Sequence, residues 1–244
     1  MKSLLVFLTI PVLLSAGNLA IAQNYAGSYT CGFTCHSEIY SSWTESAHHN
    51  SLKWINGAPP EYPFQFNSGN PNVANPPYVS GTQLSWDDIS LVIGGYRWKA
   101  MYLNLNGFII TGQASDSTQW NVENRQWTQF HPGEQMTFDC GVCHAMGYNP
   151  SGHQGGLPGI SGTWFESDVG CEACHGPGSK YKSKKTMEAI YTGTEKSETY
   201  GLVIPTEETC KQCHNEKSPM FKEFKFDEAY AKIAHNIPEV EPSK

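Results

Sequence analysis

Apolar positions along the chain fall into short helical and strand patterns. Across residues 37–54, aromatic and apolar residues recur at spacings near three and four, which predicts an amphipathic helix. A second, short helix is predicted over residues 227–236. The best strand signal lies in residues 89–111, where Asn106-Gly107 stands between MYLNL and FIIT and predicts a type I′ hairpin.

Segments rich in glycine and proline separate these elements. Residues 56–81 are rich in Pro, Gly and Asn and predict a long loop, a kind of segment that usually has a function or a contact. Residues 131–178 are similar in composition. The expected fold class is therefore a mostly irregular chain with short α-helices and one β-hairpin, forming a single domain over residues 23–244.

The first 22 residues have the pattern of a secretory signal. Lys2 gives the positive end, residues 4–14 are apolar, and residues 20–22 form a small-x-small cleavage site. No later stretch approaches the ~18 apolar residues of a membrane helix, so membrane insertion is not expected. We expect an exported protein at the cell surface or outside the cell, with the periplasm as the alternative.

The charge balance narrows the classes of partner. The chain has a formal net charge of −7 at pH 7. A negative surface repels nucleic acid and anionic membranes, which argues against both as partners.

All eight cysteines fall in four short segments that share the order Cys, Cys, His. The segments CGVCH, CEACH and CKQCH have two residues between the cysteines and a histidine directly after, the c-type haem attachment pattern. CGFTCH has a looser loop of three residues, and we interpret it as a fourth site. The cysteines are Cys31, Cys35, Cys140, Cys143, Cys171, Cys174, Cys210 and Cys213, and the histidines are His36, His144, His175 and His214.

Zinc and disulfides are the alternative uses of these cysteines. Cysteines two apart also suit zinc, but a histidine directly after every pair favours haem. Disulfides closing loops of two or three residues would make a strained and inefficient framework. The sequence therefore predicts four haem c groups with iron. Because side chains would pack on porphyrin, no conventional core is expected and the apoprotein should be largely unfolded.

Each haem iron has two axial positions, and the motif histidines supply one each. The chain has nine histidines, so five remain, one more than bis-histidine ligation of four irons requires. A second ligand on every iron permits only electron transfer, whereas an open position permits catalysis. The remaining histidines are His48, His49, His153, His235 and His131, of which His131 is treated as the spare.

The adjacent pair His48-His49 is predicted to serve two irons. Neighbouring side chains on a helix diverge by about 100°, so the two rings cannot reach both faces of one haem. His48 lies about 18 Å along a helix from His36, too far to share its iron. The pair should therefore reach other haems, and one of the two could ligate a haem in an adjacent subunit. His235, on the predicted last helix, can fold back to the fourth haem or its neighbour.

Several segments resemble the multihaem cytochromes of the cytochrome c554-like group, together over about half the chain. They are CH-SEIYSSWTESAHH, VIGGYRWK, the run from CGVCHAMGYNPSGHQ through LPGISGTW, and DVGCEACHGPGS. Four haem motifs with a variant first one look most like the extracellular tetrahaem subunits that polymerise into nanowires. The resemblance implies the four motif histidines as proximal ligands. It implies His153 and one or both of His48 and His49 as distal ligands, with one iron ligated from the next subunit.

The chain departs from this resemblance at Lys180 and Tyr181. Relatives often carry a further histidine there, which puts the distal ligand of one haem in doubt, and His235 could compensate.

Three functions follow from these patterns. The leading one is an electron conduit of four bis-histidine haems, not an enzyme, whose partners are other copies of itself, end to end, and external redox partners. The second is a monomeric periplasmic electron carrier. The third is a reductase of a small nitrogen or sulfur oxyanion, which requires one open haem.

Overall fold

The computed structural model describes residues 24–65, 71–218 and 223–235. The predicted signal, residues 1–22, lies outside the described residues, as do residues 66–70 of the predicted loop and Asn236. The helices are α1 Ser28–Cys35, α2 Ser37–Thr44, α3 Gly141–His144, α4 Cys171–His175, α5 Lys184–Tyr191, α6 Ser197–Tyr200, α7 Glu207–Lys211 and α8 Phe226–Ile233. The strands are β1 Leu52–Trp54, β2 Tyr78–Val79, β3 Thr82–Gln83, β4 Ile89–Gly94, β5 Lys99–Asn104, β6 Phe108–Ile109, β7 Gln119–Asn121, β8 Gln126–Thr128, β9 Met136–Thr137, β10 Ala145–Met146 and β11 Glu166–Ser167.

An antiparallel seven-stranded sheet lies between the first and second attachment motifs. Its main order is β1-β4-β5-β6-β9, and β7 pairs with β5 and β8. Two further pairs, β2 with β3 and β10 with β11, stand apart from it. The expectation of short helices is confirmed. The expectation of one β-hairpin underestimates the strand content, because the described residues form a seven-stranded sheet and two further strand pairs.

The predicted hairpin is present with a different turn. β5 pairs with β6 through Leu103 and Ile109, and Gly107 N donates to Asn104 O at 2.9 Å. Gly107 has a φ of 83°, whereas the φ of Asn106 is not positive. A type I′ turn needs positive φ at both central residues, so the predicted turn type is wrong. The connection is a three-residue loop with glycine in the left-handed position.

Both faces of the sheet are buried, which gives the protein a conventional core. Side chains alternate between faces along β5 and along β4 from Leu91 onward, after a register shift between Ile89 and Leu91. The inner cluster, on the face toward the second motif, contains Leu52, Leu91, Ile93, Met101, Leu103, Ile109, Phe138, Ala145, Ile160 and Trp164. The outer cluster contains Val73, Ile89, Val92, Ala100, Tyr102 and Val122. The expectation that porphyrin replaces such a core is therefore wrong for this part of the chain.

The helix predicted over residues 37–54 is shorter than expected. It ends at Thr44 and is followed by turns, and β1 begins at Leu52. The buried Asn50 amide donates to Thr44 O at 3.0 Å and to Ser46 O at 2.7 Å, which stabilises the turn. Pairing of β1 with β4 then overrides the helical pattern, as tertiary context often does.

The last helix also ends early. α8 stops at Ile233, so His235 follows the helix and does not lie on it. Among the described residues, no helix is long and apolar enough to cross a bilayer.

The described part of the predicted loop packs on the sheet. Tyr62 Oη donates to Gly94 O at 2.7 Å, and Trp120 Nε1 donates to Asn72 O at 2.7 Å. Val73 has no exposed surface and belongs to the outer cluster. This segment therefore covers the outer face of the sheet.

Candidate haem-attachment centre

Each of the four motifs occupies about one helical turn. Motif 1 lies at the end of α1, motif 2 on α3, motif 3 on α4, and motif 4 runs from α7 into the following turn. The backbone N–H groups of His36, His144 and His214 donate to the carbonyl of the first cysteine of their own motif at 3.2, 3.1 and 2.9 Å. Positions i, i+3 and i+4 share a helix face, which brings two thiols and an imidazole together in motifs 2 to 4.

Motif 1 accommodates its extra residue in a regular helix. Cys31 and Cys35 are four residues apart on α1, so their side chains also lie on one face of the helix. Phe33, between them, is 66% exposed and stacks on Tyr29 at a centroid distance of 4.9 Å. Val142, between the cysteines of motif 2, is 60% exposed. Exposed apolar side chains at these positions suit contact with an apolar macrocycle.

Motif 1 packs against motif 3. The thiols of Cys31 and Cys171 interact, which raises the pKa of Cys31 and lowers that of Cys171. Ser28 Oγ accepts the backbone N–H of Cys171 at 3.1 Å. All eight cysteines are free: Cys31, Cys35, Cys140, Cys143, Cys171, Cys174, Cys210 and Cys213.

A buried carboxylate joins these two motifs. Glu172 accepts the backbone N–H of Ala26 at 2.8 Å and that of Gly27 at 2.7 Å, immediately before α1. It also accepts the N–H of Gly178, beyond motif 3. Glu172 is only 3% exposed, yet as a residue between two motif cysteines it gave no sequence signal for this role.

Motif 4 lies between motifs 3 and 2. The thiols of Cys143 and Cys213 interact, which lowers the pKa of Cys143 and raises that of Cys213. Burial, and then the nearby Cys210, raises the pKa of Cys174 to about 11. The spatial order of the motifs is therefore 1, 3, 4, 2, which their order in the sequence does not reveal.

Two candidate distal histidines lie opposite motif histidines. The ring centroids of His48 and His214 are 6.1 Å apart, and those of His175 and His235 are 5.8 Å apart. With metal–nitrogen bonds of about 2 Å and ring centres about 1 Å behind the nitrogens, imidazoles on opposite faces of one iron have centroids about 6 Å apart. Both pairs have the spacing of axial ligands.

Burial favours the neutral form that binds metal in His48, His175 and His214. It lowers the pKa of His48, with a smaller contribution from His214, and it lowers the pKa of His214 itself. Burial is also the main cause of the lowered pKa of His175, with smaller repulsion from His235 and His36. Neutral imidazole is the ligating form.

Three candidate ligands direct Nδ1 at a backbone carbonyl, and we call them the carbonyl-anchored histidines. The pairs are His153 with Ile160 O at 2.6 Å, His175 with Val203 O at 3.0 Å, and His235 with Ile233 O at 3.2 Å. An imidazole that donates through Nδ1 presents the lone pair of Nε2, the arrangement usual in metal-bound histidines.

His49 and His144 have a buried Nδ1 without a hydrogen-bond partner. Burial and then Lys53 lower the pKa of His49 to about 4, and burial lowers the pKa of His144. The His49 ring packs on Trp43 at a centroid distance of 4.2 Å. Its Nδ1 lies 3.7 Å from Oδ2 of Asp168, a residue that the sequence reasoning missed.

His131, the spare histidine, and Tyr181, which stands where relatives often carry a histidine, both make local contacts. His131 is exposed and lies 3.3 Å from Glu134 Oε1 through Nδ1. Tyr181 is 6% exposed, and its hydroxyl donates to His175 O at 3.1 Å and to Gly176 O. Tyr181 thus holds the end of motif 3, while His235 lies beside the His175 ring.

These residues fit haem c. In the described part of the chain, no group of three or more His, Cys, Asp or Glu side chains could hold a metal ion by itself. Structural zinc needs such a four-ligand cluster, whereas a haem iron needs only one imidazole on each face. Paired thiols, an adjoining imidazole and a second imidazole about 6 Å away match that requirement.

Comparison with known proteins gives the same result. The family Cytochrome c554 and c-prime matches residues 110–176, which contain motifs 2 and 3. Cytochrome c-554 of Nitrosomonas europaea is 31% identical over 113 residues, covering 42% of this chain and 47% of that protein. The chain thus spans about half the length of this curated relative.

Two solved structures are also similar. The crystal structure of outer cell wall cytochrome OcwA is 21% identical, with a TM-score of 0.45, over 78% of this chain and 37% of that chain. The undecahaem cytochrome from the S-layer of Carboxydothermus ferrireducens is 20% identical, with a TM-score of 0.50, over 79% of this chain and 26% of that chain. The second likeness indicates a shared fold. The predicted resemblance is confirmed: the chain is similar to multihaem c-type cytochromes of the cytochrome c554-like group, and residues 110–176 carry that family's sequence pattern.

Proposed function

We propose that this protein transfers electrons through four haem c groups, as the repeating subunit of an extracellular filament. Four attachment motifs use every cysteine of the chain, and histidines opposite two motif histidines have the spacing of axial ligands. This combination is the observation that carries the proposal. Bound haem would supply an iron that cycles between the ferric and ferrous states.

The proposed ligand set gives every iron two imidazoles. His36, His144, His175 and His214 are the proximal ligands in this proposal. His48 serves the iron of His214 and His235 that of His175, because these rings lie 6.1 and 5.8 Å apart. His153 and His49 remain for the other two irons. With both axial positions filled, a substrate has no place to bind, so we propose a conduit and not an enzyme.

The contacts between motifs support a continuous route. Neighbouring motifs in the order 1, 3, 4, 2 meet through their cysteines, including the thiol pairs Cys31–Cys171 and Cys143–Cys213. Groups attached at these thiols would therefore begin at positions that are close together in space. The terminal members of the order, motifs 1 and 2, then form the two ends at which redox partners or other copies dock.

A filament follows if one end of the subunit binds the other end of the next copy. Such a contact is heterologous and open-ended, which generates filaments when rotation does not close a ring. Because the His48 ring faces His214 within the same chain, we propose His49 as the member of the pair that reaches the adjacent subunit. The His49 side chain is 30% exposed although its Nδ1 is buried, so the exposed surface lies on other atoms of the side chain.

We also propose export. The support is the signal-like pattern of residues 1–22 and the attachment of haem c outside the bacterial cytoplasm. One protein of similar fold, the undecahaem cytochrome named above, is from an S-layer.

Microscopy and sizing of native material test the filament. Material sheared from cells should show filaments by electron microscopy, and the purified protein should be far larger than one 27.0 kDa chain. A haem assay should give four haems per chain, and the oxidised spectrum should be entirely low-spin. A monomer would support the periplasmic carrier instead, and a high-spin signal shifted by cyanide or nitrite would support the reductase.

Substitution tests the proposed link between subunits. His49→Ala should abolish or shorten filaments and leave one iron without a sixth ligand, visible as a new high-spin signal. His131→Ala is the matched control, because His131 is exposed and contacts its near neighbours Phe130 and Glu134, so filaments should persist. Intact filaments with four low-spin irons in His49→Ala would refute the link.

A further inference from the structure

Asp168 has an unusual backbone conformation next to motif 3. It follows β11, has a φ of 75° and is 6% exposed. Asp and Asn tolerate the left-handed region better than other non-glycine residues, but such positions still store strain and concentrate at functional sites. A buried carboxylate in this conformation needs partners that hold it.

The two oxygens of this carboxylate face different partners. Oδ1 accepts the backbone N–H groups of Ser51 at 3.0 Å and Leu52 at 2.7 Å, and it lies 3.3 Å from Ser51 Oγ. Oδ2 lies 3.7 Å from Nδ1 of His49, the ring atom that is buried without a hydrogen-bond partner. Leaving a buried polar group unsatisfied is unfavourable, so a small shift that closes this gap is favoured.

This environment differs from that of His153 and His235, two other candidate distal ligands. The carbonyl-anchored histidines direct Nδ1 at neutral oxygens, whereas Nδ1 of His49 faces a carboxylate. Hydrogen bonds to a charged acceptor are roughly twice as strong as neutral ones. A carboxylate behind a ligating histidine fixes its tautomer and makes it a more basic ligand. A more basic ligand favours the ferric over the ferrous state.

We propose that Asp168 is a positioning residue for His49. Its Oδ2 accepts the Nδ1 proton, holds the ring so that Nε2 points toward iron, and lowers the reduction potential of that haem relative to those ligated by the carbonyl-anchored histidines. The proposal rests on the proposed function, in which His49 is an axial ligand. It assigns one haem of the chain a distinct potential.

Asp168→Asn isolates the effect. Asn keeps an oxygen for the Ser51 and Leu52 N–H groups and tolerates positive φ, but its NH₂ group replaces Oδ2. In the full-length four-haem protein, one of the four potentials should rise. The expected change is about tenfold in that haem's reduction equilibrium, which is about 59 mV for one electron. The electron paramagnetic resonance signal of one low-spin haem should shift, and the other three should not.

Asp116→Asn is the matched control. Asp116 is also a buried carboxylate, at 5% exposure, and accepts the backbone N–H groups of Ser80 at 3.0 Å and Gln113 at 2.6 Å. This change should leave all four potentials in place. Four unchanged potentials in a folded, fully loaded Asp168→Asn protein would overturn the assignment.

A measurement on the unaltered protein covers the case in which Asp168→Asn does not fold. In the reduced protein, the ¹⁵N signal of His49 Nδ1 should be shifted from those of the carbonyl-anchored histidines toward imidazolate. Identical signals would refute the carboxylate contact. The spin state of His49→Ala distinguishes failure of the Asp168 proposal from failure of the proposed function. Four low-spin irons in that variant would show that His49 is not a ligand, independently of any role of Asp168.

Discussion

Glu172 gives the sharpest stability prediction, because one buried side chain joins the first motif to the third. Its carboxylate accepts the N–H groups of Ala26, Gly27 and Gly178. A hydrogen bond to a charged group contributes about 1.5–3 kcal/mol, so Glu172→Ala should destabilise the protein by about 4 kcal/mol or more. In a chain of this size that corresponds to a melting temperature lower by about 8–16 °C.

The assay is thermal unfolding of the haem-loaded protein, followed by circular dichroism and by the haem absorption band. Glu172→Gln should fall between the parent and the alanine variant. Its single carbonyl oxygen can still accept two N–H groups, but its amide nitrogen then faces the N–H of Gly27.

Glu188→Ala is the control for loss of a carboxylate. Glu188 is 64% exposed and lies 3.6 Å from Lys184 on the surface of α5, so its removal should change stability by no more than about 0.5 kcal/mol. If fully loaded Glu172→Ala melts within about 2 °C of the parent, the three bonds do not carry the stability assigned to them.

Three further substitutions test the fold around the motifs. Phe138→Ala empties a fully buried position of the inner cluster and should cost about 3–5 kcal/mol by guanidinium unfolding; a loss below 1 kcal/mol would contradict the packing. Gly107→Ala places a Cβ 2.8 Å from Ile160 Cγ1 at a φ of 83° and should cost at least about 1–2 kcal/mol in the same assay, whereas an unchanged midpoint would argue against this turn. Tyr181→Phe removes the hydroxyl that donates to His175 O and should cost about 1 kcal/mol with four haems retained; a lost haem would instead make Tyr181 essential for attachment.

The sequence by itself determined the chemistry of the protein. A haem-attachment motif is local, since one helical turn brings two thiols and an imidazole together whatever surrounds it. The motifs and the histidine count could therefore be read directly, as could the hairpin between MYLNL and FIIT.

Only the tertiary structure decided how these parts are arranged. His48 faces His214, and His235 faces His175, across long stretches of sequence in which no periodicity connects the residues. The helical pattern of residues 37–54 gave way after Thr44 because strand pairing of β1 with β4 stabilises more than local propensity does.

The core and the buried carboxylates also depend on distant contacts. The apolar residues of β4 and β5 form two clusters only because further segments cover both faces of the sheet. Asp168 and Glu172 accept hydrogen bonds from backbone N–H groups that are distant in the sequence. Neither residue lies in a sequence pattern that predicts such a partner. Local spacing therefore encodes where haem attaches, while long-range packing determines which side chains surround it.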